Sequence, residues 1–290
     1  MSLNRRQFIK LAGAGLGSVA LSGVTAHASG GTAPDDAVAM LYDSTKCIGC
    51  KACQNACKDW NDNPPERGPD GLYDEPRELS ADTWTLIQLY QEGDTRSFIK
   101  HQCMHCLDPA CVSACPVHAL EKTPQGPVTY DAKRCIGCRY CMVACPFDVP
   151  RFEWDETIPQ IAKCTFCTDR LAVGDGPACA EACPTGALIW GTRRELLAEA
   201  QRRLTQNPDS YEGLYGDDEA GGTSVLYLSH VPFEKVGLPD LGSESVPALS
   251  DTLAPILLPS IFLGGLAVLA GGRYLAGGHS EDDQAEEKEQ

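Results

Sequence analysis

The sequence predicts an α+β chain made of two small cysteine-held modules, one inserted into the other, with an apolar helix near its C-terminus. Three observations carry that expectation. All 16 cysteines of the 290 residues fall into four short sets of four. With 28 glycines, 20 prolines and only 7% aromatic residues, the chain builds few long elements, so something besides apolar burial must hold part of it together. Finally, the twenty residues 253–272 carry no charge. The net charge of -16 reads as a solvated acidic surface and argues against nucleic acid as a partner, because phosphate binding needs a basic face.

The first 28 residues have the three parts of a signal peptide. Arg5, Arg6 and Lys10 form the basic start, residues 11–24 a Gly/Ala-rich apolar stretch, and Ala26-His27-Ala28 a small-residue cleavage site. The paired arginines of "NRRQFIK" resemble the twin-arginine export signal, a route that suits a cofactor assembled before export. Removing Arg5, Arg6 and Lys10 with this segment takes the net charge from -16 to -19.

The cysteine sets are Cys47, Cys50, Cys53, Cys57; Cys103, Cys106, Cys111, Cys115; Cys135, Cys138, Cys141, Cys145; and Cys164, Cys167, Cys179, Cys183. Disulfides fit poorly, since cysteines two residues apart three times running do not pair without strain. Zinc takes two separated pairs, so a third thiol in the same short loop is surplus. Iron-sulfur cubes fit best: a C-x2-C-x2-C loop wraps three corners, and a fourth cysteine followed by proline ligates the other cube of a pair. The first and third sets keep this spacing. The second stretches one gap to x4 and the fourth to x11, and the final C-x3-C survives in both. Pro116, Pro146 and Pro184 follow the last cysteine of three sets, and Lys58 that of the first.

The second and third sets are joined by "PVHALEKTPQGPVTYDAKR", in which residues 119–120 and 128–130 read as two short strands around a turn. This unit resembles a bacterial two-cluster ferredoxin. The resemblance implies crossed ligation, with Cys103, Cys106, Cys111 and Cys145 on one cube and Cys135, Cys138, Cys141 and Cys115 on the other. The first and fourth sets are then left to pair across the gap. "AMLYDSTKC" looks like the strand entering such a loop and "CPTGALIWGT" like the strand leaving one. A split outer ferredoxin module results, with Cys47, Cys50, Cys53 and Cys183 on one cube and Cys164, Cys167, Cys179 and Cys57 on the other.

The expected domains follow. Residues 1–28 are the signal, 29–100 the first half of the split module with an insertion, and 101–150 the inserted module. Residues 151–192 complete the split module, and 193–251 supply a helix and strand. A transmembrane helix covers 252–273 and an acidic tail 274–290. Within the insertion, residues 83–90 and 96–100 read as a hairpin. In "GTRRELLAEAQRRLTQNPDS", Thr192 and Glu195 form a capping box, Leu196, Leu197, Ala200 and Leu204 share a face, and Asn207-Pro208 ends the helix. "GGTSVLYLSHVPF" gives a further strand. Residues 253–272 are long enough to cross a hydrocarbon layer, with Pro255 and Pro259 in the first turns and Arg273 beyond the end.

Lys51, Lys58, Arg134, Arg139 and Lys163 sit beside cysteines, where they either tune cluster potentials or are ordinary surface charges. His101 and His105 flank the second set and read as packing residues, because the thiol count is already complete. No nucleotide loop, catalytic triad or carboxylate pair stands out, so the chain reads as a non-catalytic wire.

Four sets in this order resemble the electron-transfer subunits of molybdoenzyme and hydrogenase respiratory complexes. "MLYDSTKC", "CRYCMVACP" and "GGTSVLYLSHVPFEKVGLP" look like the ferredoxin-type subunit of periplasmic hydrogenase-2. "GLYDEPRELSADTW" and "KCTFCTDRLAVGDGPACAEACPTGA" look like the beta subunit of formate dehydrogenase-N. The resemblance implies four [4Fe-4S] clusters bound by the sixteen cysteines. It also implies a periplasmic catalytic partner, either hydrogenase large and small subunits or a molybdenum or tungsten formate dehydrogenase. An integral membrane quinone-reactive subunit would complete the complex on the periplasmic face of the cytoplasmic membrane.

Overall fold

The computed structural model describes residues 34, 36–65, 76–247, 261, 263–266 and 269. The chain divides into a unit spanning Ser29–Ala254 and a second formed by Met1–Ala28 and Pro255–Gln290. In the second unit the described residues 261, 263–266 and 269 are helical and exposed. No helix among the described residues is long and apolar enough to cross a membrane. The predicted signal lies outside the described residues, as does most of the predicted span.

The first unit opens with β1 (Val38–Asp43), followed by α1 (Ala52–Trp60) in the first cysteine set. A hairpin of β2 (Thr85–Glu92) and β3 (Thr95–Gln102) comes next. The inner region holds α2 (Ala110–Ser113), β4 (Leu120–Lys122), β5 (Val128–Tyr130) and α3 (Tyr140–Ala144). Then come β6 (Arg151–Phe152), β7 (Ile161–Ala162), α4 (Thr168–Ala172), α5 (Ala178–Glu181) and β8 (Leu188–Thr192). The long helix α6 (Arg193–Gln206), β9 (Gly213–Tyr215) and β10 (Val225–Ser229) complete it.

One four-stranded sheet, in the order β8-β1-β10-β9, organises the unit. Strand β1 runs antiparallel to β8, pairing Val38 with Thr192 through Tyr42 with Leu188, and parallel to β10. The strand that enters the first cysteine set therefore lies beside the strand that leaves the fourth. Both faces of β1 are covered, which explains why it reads as a continuous apolar run. Ala39 and Leu41, with Leu226 and Leu228, pack against Leu196 and Ala200 of α6. Met40 and Tyr42, with Val225 and Tyr227, face the cysteine side beside Phe166, Cys179 and Leu188. The period-2 alternation of a strand thus separates a plain helix-on-sheet layer from the layer that meets the thiols.

Helix α6 starts at the predicted cap. Thr192 Oγ1 accepts from the Glu195 backbone N–H at 3.3 Å, and the Glu195 carboxylate accepts from the Thr192 N–H at 3.1 Å. Thr192→Ala is expected to cost about 0.5–2 kcal/mol, read as a modest drop in the thermal unfolding midpoint. At the other end of the helix Arg203, 7% exposed, pairs with fully buried Asp43 at 2.9 Å.

The hairpin begins two residues later than the expected residue 83 and runs further toward its turn, from Thr85↔Gln102 to Glu92↔Thr95. Gln91 and Glu92 are exposed and polar, but ladder hydrogen bonds do not depend on burial, and Gly93 (φ 60) with Asp94 makes a two-residue turn. Strands β4 and β5 form the short hairpin read between the second and third sets. Strands β6, β7 and β9 have two or three residues each, too few to leave a periodic signal.

Candidate functional site

The four cysteine loops share one local backbone. In each, the residue just before the second cysteine has a positive φ: Gly49 (69°), His105 (48°), Gly137 (67°) and Phe166 (61°). A left-handed residue turns successive N–H groups toward the inside of the loop, making a concave anion site. The Gly137 N–H lies 3.4 Å from Cys135 Sγ, and the Phe166 N–H lies 3.4 Å from Cys164 Sγ. The Gly49 N–H donates to Cys47 in the same way. Lys51 and Arg139, just after the second cysteine, are also left-handed, at φ 58° and 63°.

The fold brings the thiols together across the sets. Cys47, Cys50, Cys53 and Cys183 line one pocket. Cys135, Cys138, Cys141 and Cys115 line another. Cys106 lies within charge range of Cys103, Cys111 and Cys145. Cys57 lies within range of Cys179 and Cys167, and Cys164 within range of Cys57 and Cys179. Each group contains three thiols of one set and the last thiol of another. Charge interactions between groups run in a line: Cys53 with Cys179, Cys164 with Cys103, and Cys111 with Cys141.

These residues fit four cubes. All sixteen thiols are free. Among the described residues no three His, Cys, Asp or Glu side chains converge on a single ion. Thiols arranged around a cavity suit a cluster, whose four irons each take one ligand. Burial pushes Cys53, Cys57 and Cys111 up to about 12, and the charges of neighbouring thiols push in the same direction. As bare thiols they would hold their protons at neutral pH; bound iron supplies the positive charge that makes them thiolates. Cys183 goes the other way. Burial opposes ionisation there too, yet the backbone N–H groups of Leu188, Thr185 and Ala187 and the Thr185 hydroxyl bring it below its ordinary value. Four [4Fe-4S] clusters follow from these donor sets.

The cations beside the cysteines divide sharply. Arg134 is exposed, and Arg139 stacks over Phe152 and Trp154 at 5.4 and 5.0 Å. Lys58 and Lys163, read as possible surface charges, are buried instead. Lys58 Nζ donates to the carbonyls of Pro64 and Asp82 at 2.8 and 2.9 Å, and Lys163 Nζ to those of Val128 and Cys164 at 2.6 and 3.0 Å. Backbone carbonyls made these positions habitable, and no local pattern announces them.

Sequence reasoning missed Lys100, which is fully buried and donates to Thr85 Oγ1 and Gln102 Oε1. Burial alone would lower its pKa, but the charges of Cys179, Cys53, Cys164 and Cys57 raise it above the usual lysine range. Its place in an alternating strand was the available signal, since a lysine on the inward face of β3 has to be paid by partners. Lys122 was missed as well. Burial brings it down to about 8 despite the charges of Cys106 and Cys103, and its Nζ donates to the His105 carbonyl at 3.0 Å. His101 is held neutral, lowered to about 4 by burial and then by the Lys100 charge. Burial likewise drives His105 well below the ordinary histidine range, with Lys163, Lys122 and Lys100 adding to it.

Comparison with known proteins agrees with this chemistry. Two families described as 4Fe-4S dicluster domains match residues 95–193 and 46–120. A protein of Nitratidesulfovibrio vulgaris is 43% identical over 99% of this chain and 80% of its own length. The hydrogenase-2 operon protein HybA of Escherichia coli O157:H7 is 41% identical over 97% of both chains. The iron-sulfur subunit of the nitrate-inducible formate dehydrogenase of Escherichia coli K12 is 44% identical over 67% of this chain and 68% of its own.

Proposed function

Since the chain belongs to the 4Fe-4S dicluster family of iron-sulfur electron-transfer subunits of the hydrogenase and formate dehydrogenase type, we propose that it is the relay between a hydrogenase-2 type catalytic partner and a quinone-reactive membrane subunit. The observation that carries the reading is the line of four thiol groups, from Cys47/Cys50/Cys53/Cys183 through Cys164/Cys167/Cys179/Cys57 and Cys103/Cys106/Cys111/Cys145 to Cys135/Cys138/Cys141/Cys115. We assign these sixteen cysteines as the iron ligands in those groups. When bound, the clusters supply one-electron carriers whose potentials answer to hydrogen bonds, burial and nearby charge. The protein's part is to space them, to exclude water from the middle two groups, and to leave the end groups near the surface. Cys50 is exposed at one end, and Ile136, Tyr140 and Val143 are exposed around the other. With four thiolates per cube no iron is open to substrate, so the chain itself catalyses nothing.

Export by the twin-arginine route, anchoring by residues 252–273 and a place on the periplasmic face belong to this proposal. So does the division into an outer split module (29–100 with 151–192) and an inserted one (101–150). The extent of similarity supports hydrogen as the electron source, since the hydrogenase-2 operon relative aligns along 97% of both chains. The second reading is a formate dehydrogenase-N type beta subunit, favoured by the 44% identity over 202 residues. Anaerobic isolation of the tagged chain is expected to bring hydrogenase large and small subunits with it; a molybdenum or tungsten formate dehydrogenase in their place reverses the choice. The same material is expected to be brown and to carry about sixteen irons per chain, and near-zero iron would end the relay reading.

A further inference from the structure

The left-handed position of the cysteine loops is glycine in the first and third sets, but His105 and Phe166 in the second and fourth. Glycine takes this conformation readily, while a bulky side chain is strained in it. Strain of this kind persists where the side chain does something the surroundings hold in place. These two side chains meet each other: the rings of His105 and Phe166 stand edge-to-face, with centroids 4.8 Å apart and planes at 88°. They meet where the loop of Cys103 and Cys106 approaches the loop of Cys164 and Cys167, and Cys164 and Cys103 are within charge range there.

The hydrogen bonds of His105 fix its proton. The backbone N–H of Val128 donates to Nδ1 at 2.9 Å. A nitrogen that accepts carries no proton, so the ring is neutral and its single proton sits on Nε2. That N–H is fully buried, and among the described residues nothing accepts from it. Gln102, three residues earlier in the chain, repeats the pattern. Lys100 can only donate, so its bond to Gln102 Oε1 turns the amide nitrogen away, and that nitrogen is also buried and unpartnered. An orphaned buried donor keeps the full penalty of its lost hydration. The Phe166 ring offers at most a weak acceptor. The only strong acceptors the site adds on loading are the sulfurs of the two cubes that meet there.

From this we infer that His105 is a positioning and tuning residue of the relay, whose Nε2–H donates to a cluster sulfur at the junction of the two modules and raises that cluster's potential. The inference rests on the cluster assignment above. Hydrogen bonds to cluster sulfur favour the more negative, reduced state, so losing one lowers the potential. Because the ring is neutral and sealed by Val128, its effect is a fixed dipole and not a proton switch.

The test uses the anaerobically isolated, cluster-loaded full chain. With histidine labelled by ¹⁵N, pulsed EPR of the reduced protein is expected to show coupling to an imidazole nitrogen. His105→Phe, a ring that the sister loop already tolerates at this position, is expected to abolish the coupling and to lower the midpoint of one cluster in an EPR redox titration. His105→Asn keeps a donor and tolerates left-handed backbone, so its midpoint is expected to move less. Absence of imidazole coupling in wild-type protein carrying about sixteen irons overturns the inference and leaves the relay intact. Four unmoved midpoints in an iron-replete His105→Phe chain do the same. Wild-type protein without iron sinks both.

Discussion

Cys57→Ala is expected to remove the cube of Cys164, Cys167 and Cys179 and to spare the cube of Cys47, Cys50 and Cys53. Cys57 belongs to the same eleven-residue run as the spared thiols, so the outcome separates crossed ligation, which the ferredoxin resemblance implies, from ligation local to each set. The reason is tertiary. Helix α1 carries Cys57 one turn beyond Cys53, against α5, and there Cys57 comes within charge range of Cys179 and Cys167. Iron is expected to fall from about sixteen to about twelve per chain, with one EPR signal lost and transfer along the line broken. Cys183→Ala is the mirror case and is expected to strike the cube of Cys47, Cys50 and Cys53. If Cys57→Ala instead abolishes the Cys47 group, ligation is local to each set and the assignment is wrong.

Arg203→Met is expected to be the most destabilising single change outside the cysteines. Asp43 ends β1 with no exposure, and its carboxylate is held by Arg203 at 2.9 Å, by the Tyr211 hydroxyl at 3.0 Å and by Thr45. Arg203 is itself buried and also donates to Glu199 at 2.7 Å. Removing one member of a buried pair strands the other charge, at a cost of about 3–5 kcal/mol. For a unit of this size the thermal midpoint should fall on the order of 10 °C. Cys47 follows Asp43 by four residues, so early loss of the first cluster on heating should accompany the shift. The double change Asp43→Asn with Arg203→Met removes the stranded charge and should recover much of the loss. A midpoint for Arg203→Met equal to that of the unaltered chain would mean that the pair contributes nothing.

Much of the site was legible because cysteine loops are local objects. Spacing of two residues between thiols dictates a tight loop, whose left-handed turn the structure places at Gly49 and Gly137 in the first and third sets. The same turn was illegible at His105 and Phe166, where no glycine announces it. The capping box at Thr192 and Glu195 and the apolar face of α6 were equally readable, because both depend on neighbours within one or two turns. Lys58 and Lys163 were readable only as neighbours of cysteines, not as buried, and the single cue to Lys100 was its inward place in an alternating strand. A buried lysine looks like a surface lysine until the carbonyls and side chains that accept its protons are placed around it.

By itself the sequence determined the chemistry: sixteen thiols in loops that can each wrap a cluster, and a strand before the first loop and after the last. The ferredoxin resemblance implied which thiols stand together; only the tertiary structure decided the line in which the groups lie. That decision depends on β1 lying beside β8 across some 150 residues, and on the His105 loop meeting the Phe166 loop. The physical reason is range. Loop geometry is fixed by backbone sterics over a few bonds, whereas partners between distant segments are fixed by strand register and by burial of both faces of β1, which no short stretch of sequence contains.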